Sequence, residues 1–378
     1  MKRILIFTVS TGAGHNQVAR ALENEFMVCG YDVVKLDVLK ETSKFLDILI
    51  SDGYRLLATN LPKMYGKLYK ITDRKKLNSG FTKLFARIHR NKIHRLIQNY
   101  NPDLIIGTHP FIVTLVADLK KRGIIHVPFI SIVTDYQAHQ TYISRYVDAY
   151  ITGSYYTSQS LQEKGVHEEK IYTYGIPIRR EFLGKQKEMH KKTEYLTILL
   201  MGGSMGVKSI RRTLENLVLN RHSLRIIVIC GNNEILKQEL KSRYKNTSNE
   251  KKKISIYGFT RHISRLMDIS DIIITKPGGL TVSEAIAKNV PMIIPYLIPG
   301  QEEENADFLV KSNVAIRVND IKKINEVIDY LIENPKVIKQ MKNNMRKLAS
   351  TYSLENIIGL ADKLIYEYRC KWGKTQEK

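Results

Sequence analysis

The feature that most constrains this chain is a rhythm in which short β-branched apolar runs are each followed by a small-residue turn and a helical stretch. The runs fall at residues 3–10, 32–37, 104–108, 128–133, 149–152 and 171–174. After a polar stretch at 185–194 the rhythm restarts at 196–201, 225–230, 254–257, 271–275, 291–295 and 315–318. Strands alternating with helices of roughly 10 to 15 residues predict parallel sheets wrapped by helices. Two such series joined by a charged linker predict an α/β chain of two doubly wound, Rossmann-like domains facing a central cleft. A length of 378 residues suits two domains better than one. The expected division is 1–185, 186–352 and 353–378, the last a helix that crosses back onto the first domain.

Composition narrows the class. With 43% hydrophobic and 26% charged residues the chain is expected to fold rather than stay disordered. No apolar run approaches the roughly 18 residues that span a bilayer. The first ten residues begin like a signal peptide but run into a glycine-rich loop without a cleavage pattern, so they read as a first strand and the chain as cytoplasmic. Cys29, Cys230 and Cys370 lie too far apart for a disulfide framework or a zinc site. A net charge of +23 implies an anionic partner: nucleic acid, an anionic membrane or phosphorylated ligands.

The charge is concentrated. Between residues 54 and 100 no strand is expected, and Arg55, Lys63, Lys67, Lys70, Arg74, Lys75, Lys76, Lys83, Arg87, Arg90, Lys92 and Arg95 stand against Asp73 alone. Apolar residues are interleaved, among them Leu61, Met64, Tyr65, Leu68, Tyr69, Ile71, Phe81 and Phe85. Basic amphipathic helices with aromatic residues on the apolar side lie in anionic lipid interfaces. The other reading is a solvated helical insertion packed on the domain.

Ligands of parallel sheets sit beyond the carboxyl ends of strands. Ser10-Thr11-Gly12-Ala13-Gly14-His15 ends the first run and opens a helix expected at Asn16. Gly14 permits close ligand approach, and His15 is either a ligand-facing base or a helix cap. The second series carries a matching loop, Met201-Gly202-Gly203-Ser204-Met205-Gly206, whose Gly203 amide and Ser204 hydroxyl suit a diphosphate. Thr275-Lys276-Pro277-Gly278-Gly279-Leu280-Thr281-Val282-Ser283-Glu284 follows, with Glu284 one helical turn in and placed for a ribose diol. Pro299-Gly300-Gln301-Glu302-Glu303-Glu304-Asn305 is a polar loop suited to sugar hydroxyls.

Together these segments resemble the monogalactosyldiacylglycerol synthase / processive diacylglycerol glucosyltransferase family, a branch of the inverting two-domain (GT-B) glycosyltransferases. The resemblance covers nearly the whole chain, including Val133-Thr134-Asp135-Tyr136 with His139, and Gly175-Ile176-Pro177-Ile178. It implies His15 as base, with Asp135 orienting either that base or the acceptor hydroxyl. It also implies a donor site of Gly14, Gly203, Ser204, Gly258, Phe259, Gly278, Gly279, Thr281, Glu284, Gln301, Glu302 and Asn305, with Arg179 reaching the diphosphate. The acceptor and membrane side would use Lys63, Tyr65, Lys67, Tyr69, Arg74, Lys75, Lys76, Phe81, Phe85 and His139. Where related sequences tend to have Trp three residues after the His139 position, this chain has Tyr142.

The expected reaction is inverting transfer of glucose or galactose from a UDP-hexose to 1,2-diacylglycerol or a glycosyl-diacylglycerol. It would take place at the inner face of the membrane, with UDP-sugar as co-substrate, no other cofactor and no essential metal. Three other readings stay open: an N-acetylglucosaminyltransferase acting on a polyprenyl-diphosphate lipid, a nucleic-acid-binding protein, and a donor-binding regulator without catalysis. The charge without a recognisable nucleic-acid module makes nucleic acid an unexpected partner.

Overall fold

Runs of Ile, Leu and Val build two parallel sheets in the computed structural model, which describes residues 1–10, 13–42, 61–73, 75–184, 194–202, 207–245, 247 and 250–372. For residues 13, 42, 75–85, 207, 208 and 372 it describes the backbone alone. The chain forms two compact units: Met1–Arg179 with Pro299–Gln301 and Thr351–Lys378, and Arg180–Ile298 with Glu302–Ser350.

The first unit carries β1 (Arg3–Thr8), β2 (Asp32–Asp37), β3 (Leu104–Gly107), β4 (Phe129–Ile132), β5 (Ala149–Ile151) and β6 (Ile171–Tyr172). Its order is β2-β1-β3-β4-β5-β6, every pairing parallel. Residues Ile4 to Phe7 of the near-central β1 are fully buried, as expected of a parallel strand covered on both faces. Helices Ala13–Val28 and Pro110–Lys121 make the crossovers after β1 and β3. The helix Lys75–Tyr100 sends Ile93 and Ile97 into the same core, and its Arg90 pairs with Asp118 at 2.6 Å. The carboxyl half of the basic interval is therefore a packed part of the domain.

The second unit carries β7 (Leu196–Met201), β8 (Leu224–Ile229), β9 (Lys252–Tyr257), β10 (Ile272–Ile274), β11 (Met292–Ile294) and β12 (Ala315–Arg317). They run parallel in the order β12-β11-β10-β7-β8-β9. Several strands are shorter than the sequence runs because Pro128, Pro291 and Pro295 have no N–H to donate to a ladder. The first helix opens at Ala13 rather than Asn16, which puts Gly14 and His15 in its first turn.

The helix Leu354–Trp372 belongs to the first unit, as the fold expectation required. Lys2 pairs with Asp362, the Tyr368 hydroxyl donates to Asp148 at 2.6 Å, and Arg369 donates to Asp103 at 2.7 Å. Just before it, Tyr352 stands over Gly175 and its hydroxyl meets that of Tyr136 at 2.9 Å. Gly175 has φ +82°, and a Cβ there would lie 2.5 Å from the Tyr352 ring. Backbone strain and overlap add, so Gly175→Ala should cost about 2–4 kcal/mol in urea unfolding. Gly184→Ala, where a Cβ would meet nothing within 4 Å, should stay within about 0.5 kcal/mol.

Candidate functional site

In each unit the strand order reverses at one place, and there the carboxyl ends of two strands flank a crevice. In the first sheet this place lies between β1 and β3. His15 follows β1, Thr108 and His109 follow β3, and the three converge. The His15 Nδ1 lies 2.6 Å from the Thr108 carbonyl oxygen, which can only accept, so Nδ1 carries a proton and Nε2 is the basic nitrogen. The Thr134 hydroxyl sits 3.2 Å from the same Nδ1 and 3.1 Å from the Tyr142 hydroxyl. The partner that orients Nδ1 is thus the Thr108 carbonyl, with Thr134 beside it, rather than the Asp135 carboxylate. Asp135 is buried and accepts from the side-chain amide of Gln301, a residue that groups with the first unit.

His109 stacks edge-on against His15, ring centroids 4.6 Å apart and planes at 72°. Its Nδ1 accepts from the Phe111 amide at 3.1 Å, capping the helix Pro110–Lys121, so its proton is on Nε2. Burial lowers the His15 pKa to about 4, against a smaller upward pull from the Thr108 carbonyl. Burial, and then the neighbouring His15, hold His109 well below the ordinary histidine range. Both rings are neutral near pH 7. The loop before His15 is braced from β2: Asp37 accepts from the Ser10 hydroxyl, which accepts from the Asn16 amide at 2.7 Å.

The helix Pro62–Thr72 has three faces. Tyr65, Gly66 and Tyr69 turn inward, and the Tyr69 ring packs 4.6 Å from that of His139. Leu61, Met64, Leu68 and Ile71 form an outward stripe, each about half exposed at 51, 50, 49 and 46%. Lys63, Lys67 and Lys70 are exposed on a third face. A groove of about 520 Å³ is lined by Leu61, Pro62, Lys63, Met64 and Lys67. Buried His139 donates to or accepts from Thr141 at 2.7 Å and reaches the Tyr69 carbonyl at 3.2 Å. Burial lowers its pKa, opposed by nearby Asp73. Asp73 takes Lys164 at 2.6 Å and the Gln140 amide at 2.6 Å, so the one acid of the basic interval is spent on its own domain. Arg74 lies outside the described residues, as do the side chains of Lys75, Lys76, Phe81 and Phe85. No described helix is long and apolar enough to cross a membrane.

In the second sheet the order reverses between β10 and β7. Gly202 follows β7, while Gly203 and Ser204 lie outside the described residues. After β10, Gly278 caps the helix Gly279–Ala287, with Thr281 half-buried in its first turn and Glu284 buried. Gly14 and Gly278 both have negative φ, and a Cβ at either would meet nothing within 4 Å. Neither strain nor internal packing calls for glycine there.

Asn305 is fully buried, with its amide on the Pro277 carbonyl at 3.0 Å. Glu302 accepts from Lys276 at 2.6 Å on one oxygen and from the Ile298 amide at 2.9 Å on the other. The Tyr296 hydroxyl donates to the Met201 carbonyl at 3.2 Å. After β9, Gly258 lies under the Glu234–Lys237 ion pair and Phe259 is 66% exposed. Arg179 is half-buried at the end of the first unit's long run. Among the described residues no three His, Cys, Asp or Glu side chains converge as metal ligands would. Sequence reasoning missed Thr108, His109 and the tie between Lys276 and Glu302.

Residues 15–178 match the family model of monogalactosyldiacylglycerol synthase, and residues 197–357 that of the glycosyltransferase family 28 C-terminal domain. A processive diacylglycerol beta-glucosyltransferase of Bacillus licheniformis is 31% identical over 375 residues, 94% of each chain. One of Bacillus subtilis is 29% identical over 386 residues, 98% of each chain. The crystal structure of Acinetobacter baumannii MurG shares the fold, with a TM-score of 0.66 at 17% identity over 96% of this chain and 100% of that one.

The state of the paired histidines is measurable. Their folded pKa values are depressed, so the unfolded chain takes up protons first as pH falls. The stability they contribute is complete above about pH 6.5 and is lost as pH drops from there toward 4. Urea unfolding at about pH 7.5 and about pH 5 should show a smaller acid loss for His109→Gln than for the wild type. In NMR titrations the His15 ring should hold one neutral shift down to about pH 5.

Proposed function

The chain belongs to the monogalactosyldiacylglycerol synthase / processive diacylglycerol glucosyltransferase family of GT-B glycosyltransferases, and from that premise we propose that it transfers a hexose from a UDP-sugar to the 3-hydroxyl of 1,2-diacylglycerol. The names of the relatives at about 30% identity support UDP-glucose as donor and addition of further sugars to the first product. One observation carries the chemistry: a neutral His15 whose Nδ1–H is held by the Thr108 carbonyl, leaving Nε2 to act as base.

The lipid hydroxyl oxygen attacks the anomeric carbon while His15 Nε2 takes its proton. The bond from that carbon to the diphosphate oxygen breaks, and UDP leaves with the electron pair. One displacement turns an α-linked donor into a β-glycoside. In the imidazolium that forms, the Nδ1–H is a stronger donor, and the Thr108 carbonyl and Thr134 hydroxyl offset part of the cost of a buried charge.

The second unit carries most of the donor-binding residues. Helix N-termini and the amides near Gly203, Ser204, Gly278 and Gly279 meet the diphosphate, with Arg179 assisting. Glu284 and Thr281 hold the ribose, Gly258 and Phe259 the base, and Gln301 and Glu302 the hexose. Glycine at 14 and 278, which packing does not require, fits close approach of a ligand to the backbone. Asn305 acts by holding the Pro277 turn. Asp135 and His139 belong to the acceptor side. No divalent cation is needed, since charge on the leaving group is met by amide dipoles and cationic side chains.

The helix Pro62–Thr72 lies on an anionic membrane surface, Leu61, Met64, Leu68 and Ile71 entering the interface and Lys63, Lys67 and Lys70 meeting headgroups. Three lysines at about 1 kcal/mol each and four half-exposed apolar side chains at roughly 1 kcal/mol each are comparable contributions. Both are then needed.

Pure protein on diacylglycerol vesicles with UDP-glucose and UDP-galactose should give β-glycosyl-diacylglycerol by mass spectrometry, with and without EDTA. His15→Ala should lower turnover about 10²–10⁴-fold while UDP still binds. Retained turnover sinks the base assignment, and loss in EDTA the metal-free mechanism. For the interface, Leu68→Ser with Ile71→Ser should weaken binding to anionic vesicles by about tenfold or more in flotation assays. Unchanged partitioning would remove the helix from the membrane contact.

A further inference from the structure

Lys276 stands just past β10, at the crevice where the second sheet reverses its order. Its ammonium is 2.6 Å from Glu302 Oε1, and the two side chains are only 20% and 11% exposed. The other oxygen of Glu302 accepts the Ile298 amide at 2.9 Å. The next residue, Pro277, has its carbonyl held by Asn305 at 3.0 Å. Two bonds thus tie the β10 loop to the start of the helix Gln301–Lys311.

A carboxylate has about four lone-pair sites, and among the described residues Glu302 meets one donor on each oxygen. Two remain, and both lie in a plane that Lys276 and the Ile298 amide fix from opposite ends. A carboxylate held in this way has the acceptors for two neighbouring hydroxyls. With Lys276 removed, the carboxylate is held at one oxygen only, can turn about its last torsion, and is a nearly buried charge without its cation. The first change weakens a pair of hydrogen bonds to a neutral diol, and the second costs stability at the site.

We propose that Lys276 is a positioning residue for the donor hexose, fixing Glu302 to accept two vicinal sugar hydroxyls, and that it acts through Glu302 rather than on the diphosphate. The inference rests on the reading of the second unit as a UDP-hexose site. UDP carries the diphosphate without the sugar, so comparing the two ligands separates the roles.

In Lys276→Met, the Kd for UDP should stay within about twofold of wild type while the KM for UDP-glucose rises on the order of tenfold, the fold-change that corresponds to one strong hydrogen bond. Lys276→Arg should recover most of that loss. Should the unpaired carboxylate unfold Lys276→Met, the double variant Lys276→Met, Glu302→Gln removes the buried charge. It should match Glu302→Gln alone in KM, because one variant abolishes what the other acts through. Parallel weakening of UDP and UDP-glucose, additive losses in the double variant, or an unchanged KM each overturn the proposal. Wild-type protein that binds no UDP instead overturns the donor-site reading on which it rests.

Discussion

The hydrogen bond from His15 Nδ1 to the Thr108 carbonyl depends on sheet register before it depends on any side chain. β1 and β3 pair in parallel with Phe7 opposite Gly107, and the Thr108 amide donates to the Phe7 carbonyl at 3.1 Å. That bond leaves the Thr108 carbonyl at the mouth of the crevice, where the first turn of the next helix delivers His15. A one-residue slip would move every side chain of β3 to the other face and take the carbonyl away from the ring. The tautomer of His15 is therefore held by the paired strands β1 and β3. Because the holding group is a neutral carbonyl and not a carboxylate, it offsets little of the effect of burial, and the ring stays neutral near pH 7.

The second unit repeats the same strand-order reversal. The end of β7 meets the loop after β11 through the bond between Met201 and Tyr296, and the Lys276–Glu302 pair ties the loop after β10 to the helix that follows β11. Polar atoms that would be costly if unmet are satisfied across loops, which orders backbone at a place that packing alone leaves open. In the first unit the corresponding work is done by Asp37, Ser10 and Asn16 at the root of the loop before His15.

All twelve strands were legible as apolar runs, because buried parallel strands are nearly continuous in Ile, Leu and Val. Their ends were not, since Pro291 and Asp271 stand just outside the paired residues, although each still makes one backbone bond to the neighbouring strand. His15 was legible from its glycines and its place after the first strand. His109 was not, because it lies 94 positions away and only strand order puts β3 next to β1. A reading that assumed the usual central crossover would have flagged Thr108-His109-Pro110. Tyr65 and Tyr69 looked like interface residues because the helix has apolar residues on two faces, and periodicity does not say which face meets the domain. Lys276 was visible in its motif, but its bond to Glu302 crosses 26 positions and two strand ends.

The helix Leu354–Trp372 has a consequence for the order of events on the ribosome. Its partners Lys2, Asp103 and Asp148 all lie in the first half of the chain. As the chain emerges in order, the first sheet can pair early, yet the surface that this helix covers stays open to solvent until residues 354–372 are made. The unit that contains β7 to β12 has all of its chain by residue 350 and waits for nothing later. The half of the molecule that is begun first is completed last.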